Sequence, residues 1–297
     1  VLFGTDYACT LAQTAAIPEA MKTSFDLSCI RRKNTEGYHY FISALTGKDT
    51  ESWIPLAVPA RSAMLYNPMN GSSGKALLRQ KDGKTEVYLQ LASGESAILK
   101  TFTEADVQVP EWKYQTVAQG TVELSGLWSL RFVESAPAVH SVPDSVSLGS
   151  WTDLSFEGAG TTMGTGCYTT AFVIENPASA QDWQLSLGDV RESARVRING
   201  REVATLWAVP YCCPIGQYLR PGKNILEIEV TNLPANRIAD MDRRGVKWRI
   251  FKDINIAALG YKKGTYAGWE PVPSGLLGPV RIIPPVSYTH LRAHETV

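Results

Sequence analysis

Residues 185–232, LSLGDVRESARVRINGREVATLWAVPYCCPIGQYLRPGKNILEIEVTN, decide the fold class. Ala194, Val196 and Ile198 alternate with Arg195 and Arg197, the period-2 pattern of a strand with one buried and one solvated face. Asn199-Gly200 follows at once, the dipeptide best suited to the positive φ angles of a two-residue hairpin. Arg201 to Leu206 reads as the returning strand. Pro221-Gly222-Lys223-Asn224 is a second turn cluster, after which Leu226, Ile228 and Val230 alternate with Glu227 and Glu229 as a third strand. This pattern predicts an antiparallel sheet, and the remainder of the chain has to cover its apolar face.

The flanking sequence continues in the same way. On the N-terminal side, Leu27 to Arg32, Tyr38 to Ala44, Trp53 to Val58, Ala63 to Tyr66, Ala76 to Arg79, Thr85 to Leu91 and Ser96 to Phe102 are short β-branched or aromatic runs. Turn residues such as Asn67-Pro68-Met69-Asn70-Gly71 and Asp82-Gly83 separate them. Nearer the opening stretch, Thr121 to Phe132, Gly166 to Ile174 and Trp183 to Leu187 read as strands, and beyond it so do Asp253 to Leu259 and Gly275 to Ile282. The only helical stretch runs from Ala8 to Met21, interrupted by Pro18. The fold class is therefore all-β, two consecutive antiparallel β-sandwiches. The expected divisions are 1–24, the partly helical end of an upstream domain; 25–105, the first sandwich; 106–119, a linker; and 120–285, the second sandwich.

Residues 286–297, VSYTHLRAHETV, break abruptly with what precedes them and resemble the in-frame translation of a transposase adapter. They are set aside as a non-native tail, so His290 and His294 are not read as a metal motif. No initiator Met, basic n-region or signal peptide opens the sequence, and the chain is expected to be cut from a longer one.

The 297 residues suffice for two domains of about 100–200 residues each. Lys+Arg and Asp+Glu are equal at 29 each, so no global field draws in nucleic acid or an acidic membrane surface. No apolar run approaches the ~18–20 residues of a membrane span. The five cysteines are odd in number and lack CxxC spacing, and the adjacent Cys212 and Cys213 suit neither zinc nor an ordinary disulfide; free thiols are expected.

Several motifs coincide in order: LSGLWSLRF (Gly126, Trp128), CYTTAFVIENP (Tyr168, Phe172), VRING (Val196, Asn199, Gly200), PGKNILEIEVTN (Gly222, Asn224) and GLLGPV (Gly275, Gly278, Val280). This succession resembles the sugar-binding, galactose-binding-like jelly roll of glycoside hydrolase family 2 and its relatives. IRRKNTEGYHYFISAL, the NPMNG turn and VYLQLASGESAILKTF resemble the β-domain that follows the catalytic barrel in glycoside hydrolase family 106, the α-L-rhamnosidases. TNLPANRIADMDRRGVKWRIFKDINI is similar to that family's version of the jelly roll. The resemblance covers roughly residues 17–283. It implies the non-catalytic C-terminal part of a secreted or periplasmic bacterial polysaccharide-degrading enzyme. Its partners would be the upstream catalytic barrel of the same polypeptide and a plant or bacterial rhamnose-containing glycan. The catalytic carboxylates, and any calcium beside them, would lie in that barrel; no cofactor is expected in this chain. The rival readings are a carbohydrate-binding module that works alone and a purely structural spacer.

Glycoside hydrolysis by the usual route needs two carboxylates flanking the bond. Among 29 acidic residues no spacing singles out a pair; Glu36, Glu95, Glu192 and Glu270 stand beside conspicuous motifs but read as solvated turn residues, and no catalytic residue is assigned. GxSxG, HExxH and Walker-type loops are absent from the sequence. His39, between two tyrosines, reads as a strand residue with an ordinary hydrogen bond, and His140 is isolated. The most function-like passage is the excursion after Asn232, which gathers Asn236, Arg237, Asp240, Asp242, Arg243, Arg244, Lys247, Trp248 and Arg249. Carboxylates accept sugar hydroxyls while an indole packs on a C–H face, so Asn236, Arg237, Asp240, Asp242, Arg243 and Trp248 are the candidate carbohydrate-binding residues. Trp207 and Trp269, with Tyr211, lie near turns and are read either as lining the same end or as core aromatics. The competing reading pairs these charges among themselves and uses them to dock this domain on its neighbours. Asp240 and Asp242 offer calcium its preferred oxygen ligands, but no EF-hand-like loop surrounds them and no metal site is assigned.

Overall fold

The computed structural model describes residues 6–14, 17–114, 120–177, 183–250 and 264–284. They fall into two compact units divided between Thr116 and Val117. Both units are built of antiparallel sheets packed about apolar cores, as the alternating pattern demands.

The first unit opens with two short helices, α1 (Tyr7–Ala12) and α2 (Ala20–Phe25). The helical stretch expected over Ala8 to Met21 with an interruption at Pro18 forms these two short helices, and α2 begins beyond Pro18, whose missing N–H and fixed φ disfavour a helix running through it. Residues 17–25 do not belong to a preceding domain. Met21 is fully buried in one core with Leu27, Tyr40, Leu65 and Leu99. The Glu19 carboxylate accepts from the Arg31 guanidinium and, at 2.9 Å, from the Ala57 N–H.

Eight strands follow among the described residues: β1 (Ser28–Lys33), β2 (Gly37–Ser43), β3 (Thr50–Pro55), β4 (Ser62–Tyr66), β5 (Ser73–Lys75), β6 (Leu78–Lys81), β7 (Lys84–Leu91) and β8 (Ser96–Phe102). They form one sheet ordered β1-β2-β8-β4-β5 and another ordered β3-β7-β6. The run Ala76 to Arg79, expected as a single strand, is where the chain changes sheets. Ala76 N–H donates to Ala63 C=O in the first sheet, and Leu77 C=O accepts from Tyr88 N–H in the second. Residues 106–114, expected as linker, pack on this unit as well. Lys75 exchanges backbone bonds with Pro110 and Trp112, and the buried Tyr114 hydroxyl accepts from Leu77 N–H at 3.0 Å and donates to Tyr88 C=O at 3.1 Å.

The second unit comprises β9 (Val122–Glu123), β10 (Ser129–Ala136), β11 (Met163–Ile174), β12 (Gln184–Ser186), β13 (Asp189–Arg191), β14 (Ser193–Ile198), β15 (Arg201–Leu206), β16 (Cys212–Pro214), β17 (Gly222–Thr231), α3 (Ala235–Arg243), β18 (Gly275–Gly278) and β19 (Arg281–Ile283). Its sheets are β10-β11-β17-β14-β15, β16-β12-β19-β9 and the pair β13-β18. Trp128, Trp151, Tyr168, Leu185, Ile228 and Leu276 are among the side chains at the centre of the core.

The Asn199-Gly200 hairpin forms as its residues require, with φ of 53° and 77° and Ile198 facing Arg201. The third strand of the stretch, β17, pairs with β14 and not with β15. After β15 the chain crosses to β16 in the other sheet and returns, so the Pro221-Gly222 turn re-enters the first sheet on the far side of the hairpin.

Two strands expected as continuous are broken. Between β9 and β10 the buried Trp128 leaves the ladder and exchanges both backbone bonds with Val146 at 2.8 Å. Between β18 and β19, Pro279 removes a donor and Gly278 takes a φ of 76°, so β18 pairs with β13 while β19 pairs with β12 and β9. The strand expected over Asp253 to Leu259 and the tail 286–297 lie outside the described residues.

Candidate functional site

The passage after Asn232 opens as a helix, not as the irregular excursion the sequence suggested. Pro234 stands at the N-cap of α3, a position that needs no N–H. Arg237 faces Asp240 at 3.1 Å and Asp240 faces Arg244 at 3.5 Å, the i,i+3 and i,i+4 spacings that support a short helix. Arg243, Nε to Ala239 C=O at 3.2 Å, complements the negative end of the helix.

A buried polar network seats this helix. Asn236, 3% exposed, donates from Nδ2 to Val272 C=O at 2.7 Å, and its Oδ1 accepts from Val272 N–H at 2.8 Å. Asn232 accepts from Gly164 N–H at 2.9 Å and donates to Thr162 C=O and to Ser274 Oγ, each at 3.1 Å. Ser274 N–H in turn donates to Ser150 Oγ at 3.0 Å. Asn236 is therefore a clamp with its amide fully engaged; the structure does not offer it to a ligand.

Asp242 is the hub of the next layer. Its Oδ1 accepts from Trp248 Nε1 at 2.6 Å, and its Oδ2 accepts from Tyr266 N–H at 2.7 Å and Thr265 Oγ1 at 3.1 Å, with the Arg249 guanidinium 3.7 Å away. The Tyr266 N–H first, then the Trp248 indole, hold its carboxyl below the usual carboxylate range. The closure brings three rings together: Trp248 and Tyr266 lie 6.2 Å apart, and Tyr266 and Trp269 4.5 Å apart. Arg249 covers the first two, 5.1 Å from the Trp248 centroid and 5.0 Å from that of Tyr266. Trp269 is the outermost ring, 46% exposed.

Of the sequence-predicted residues, α3 and the loop after it thus hold Asn236, Arg237, Asp240, Asp242, Arg243 and Trp248 in one assembly, joined by Trp269. Trp207 is 66% exposed just past β15 and is not one of the stacked rings. Tyr211 is core: it is buried, and its hydroxyl donates to Glu192 C=O at 2.5 Å. Sequence reasoning missed Tyr266 and Thr265, whose signal was the small-residue and aromatic run GTYAGW.

Two of the conspicuous acids have structural duties. Glu36 pairs with Lys100 at 2.6 Å, and Glu95 accepts from Ala92 N–H at 2.8 Å. Burial pushes the Glu95 carboxyl up, and it lies in the β7–β8 turn. His39, on β2, hydrogen-bonds Asn34 at 2.9 Å. His140 lines a hollow of about 670 Å³ with Pro137, Ser141, Phe156 and Glu157, which brings one carboxylate to it and not a facing pair.

No protein-family model matches the chain. Its fold is similar to that of a rhamnosidase from Novosphingobium sp. PP1Y, with a TM-score of 0.63 and 25% identity, over 91% of this chain and 24% of that one. In sequence it is 31% identical over 179 residues to a putative β-glucuronidase of Formosa agariphila, covering 54% of this chain and 15% of that protein. The two units are thus glycoside hydrolase-like β-domains. The chain spans about a quarter of the rhamnosidase and less of the putative β-glucuronidase.

Proposed function

We propose that this chain is the non-catalytic C-terminal portion of a polysaccharide-degrading glycoside hydrolase of the α-L-rhamnosidase kind, glycoside hydrolase family 106. In this reading the second unit is a galactose-binding-like jelly roll. Both units support the catalytic barrel, which supplies the catalytic carboxylates and any calcium. The enzyme works outside the cytoplasm, and the Trp248–Tyr266–Trp269 ladder contacts a rhamnose-containing glycan. The observation that carries the reading is the likeness to the rhamnosidase over nearly the whole of this chain and only a quarter of that one. The identity to the putative β-glucuronidase favours a second reading of the parent, a β-glucuronidase, with the same division of labour.

Titration calorimetry with rhamnose-containing oligosaccharides tests the glycan contact. Millimolar or tighter binding is expected, lost in Trp269→Ala, where the exposed ring is removed, and weakened in Trp248→Ala. Binding with full affinity by both variants overturns the assignment of the ladder, and no binding leaves a scaffold. Glycosidase activity from this chain alone overturns the non-catalytic reading.

A further inference from the structure

We infer that the glycan contacted at the Trp248–Tyr266–Trp269 ladder is anionic, its sugars bearing carboxylate or sulfate groups; the inference rests on the reading of the ladder as a glycan surface. The two aspartates of α3 are engaged internally. Both oxygens of Asp242 are held by Trp248, Tyr266 and Thr265, and Asp240 Oδ2 faces Arg237 and Arg244. These carboxylates have little left to offer a neutral sugar's hydroxyl hydrogens.

The cations are in excess. Residues 235–250 with 264–272 carry Arg237, Arg243, Arg244, Lys247 and Arg249 against Asp240, Asp242 and the exposed Glu270. Arg243 and Lys247 are exposed and have no carboxylate within salt-bridge distance among the described residues, and the Arg244 side chain is 58% exposed. The Asp242–Trp248 bond closes residues 242–248 into a ring. Arg243, Arg244 and Lys247 each stand one or two residues from an end of that bond, so their Cα atoms lie within roughly 7 Å of Asp242 or Trp248. Added salt is therefore expected to weaken whatever these charges contribute, the Debye length being about 8–10 Å at physiological strength. An exposed ring beside an excess of cationic donors, with the two α3 carboxylates already engaged, suits a sugar that brings negative charge.

The test compares the intact chain's affinity for an acidic oligosaccharide, its carboxyl-reduced neutral counterpart and a sulfated oligosaccharide of equal length, at low and high salt. The acidic ligand is expected to bind at least about tenfold more tightly than the neutral one at low salt, with the advantage shrinking as salt rises. Equal binding of the sulfated ligand identifies charge as the feature read; its failure restricts the class to carboxylates. Lys247→Gln, outside α3, should weaken the preference while leaving neutral binding and melting temperature near their starting values. If that variant keeps the full preference, the inference falls. Equal affinity for charged and neutral ligands overturns the inference alone. Absence of binding to every glycan overturns the glycan surface itself, and the inference with it.

Discussion

The carboxamides of Asn199 and Asn224 are bonded to each other, Nδ2 to Oδ1, at 2.8 Å. One residue belongs to the β14–β15 hairpin and the other to the start of β17, so two turns that look independent in the sequence are one junction. Asn224 is fully buried: it accepts also from Arg220 N–H at 3.0 Å and donates to the carbonyls of Arg220 and Gly222 at 2.9 and 3.0 Å. Asn199 Oδ1 caps Ile225 N–H at 3.1 Å.

Asn224→Ala leaves several of these groups without partners, each costing about 1–3 kcal/mol when burial keeps water out. A loss of at least about 2 kcal/mol in unfolding free energy is expected by denaturant titration. A loss under half of that would mean that water replaces the side chain and that the junction is not dry.

How much of this was legible beforehand follows from what each residue contributes. Ala194, Val196 and Ile198 could be placed because burial on a strand repeats every second residue, and all three are buried. The break at Pro279 is hard to place in sequence because the apolar run GLLGPVRI continues on both sides of the proline. The helix α3 was hidden because the side chains it buries are Asn236 and Ala239, which carry no apolar stripe to detect. Its ion pairs look in one dimension like a charged loop. The approach of Trp248 to Tyr266 joins residues 18 apart, both held by Asp242 and covered by Arg249.

Gly275 sits where no side chain fits. A Cβ there would lie 2.4 Å from Trp151 Nε1 and 2.6 Å from the Tyr168 hydroxyl, and the residue has φ of +97°. Those two groups are bonded to each other at 2.6 Å in the centre of the second unit, and the Tyr168 hydroxyl also accepts from Leu276 N–H at 3.2 Å. Gly275→Ala therefore combines overpacking, about 1–3 kcal/mol, with left-handed strain of about 1–2 kcal/mol. A melting temperature unchanged in Gly275→Ala would show that the β13–β18 pair can move aside freely.

The five cysteines are free thiols in sharply different surroundings. Burial pushes Cys213 up to about 12 and, with Glu19 adding to it, Cys29 to about 11; Cys167 is also raised by burial. Cys9 and Cys212 are exposed. A thiol reagent at pH 8 should therefore modify Cys9 and Cys212 promptly in the native protein, the half-buried Cys29 more slowly, and Cys167 and Cys213 only on unfolding. Mass spectrometry of the labelled peptides decides it, and prompt labelling of Cys213 would contradict the packing of β16.

Asp242 gives the candidate site a definite pH signature. Its folded pKa is depressed, chiefly by the Tyr266 N–H and then by the Trp248 indole, so the stability it lends is complete above its unfolded pKa of about 3.9 and drains away as pH falls through the lower folded value. Asp242→Asn cannot reproduce the arrangement: one carboxamide atom can accept, while the NH₂ confronts donors that the second carboxylate oxygen had satisfied. The variant is expected to melt below the parent at pH 7, with a red-shifted tryptophan emission as Trp248 loses its anchor and admits water. The gap between variant and parent should narrow as pH is lowered from about 4, because protonation removes from the parent what the mutation has already removed. Paired melts at pH 7, 5, 4 and 3 test this, and a gap that stays constant across the series would show that Asp242 does not hold the ladder through its charge.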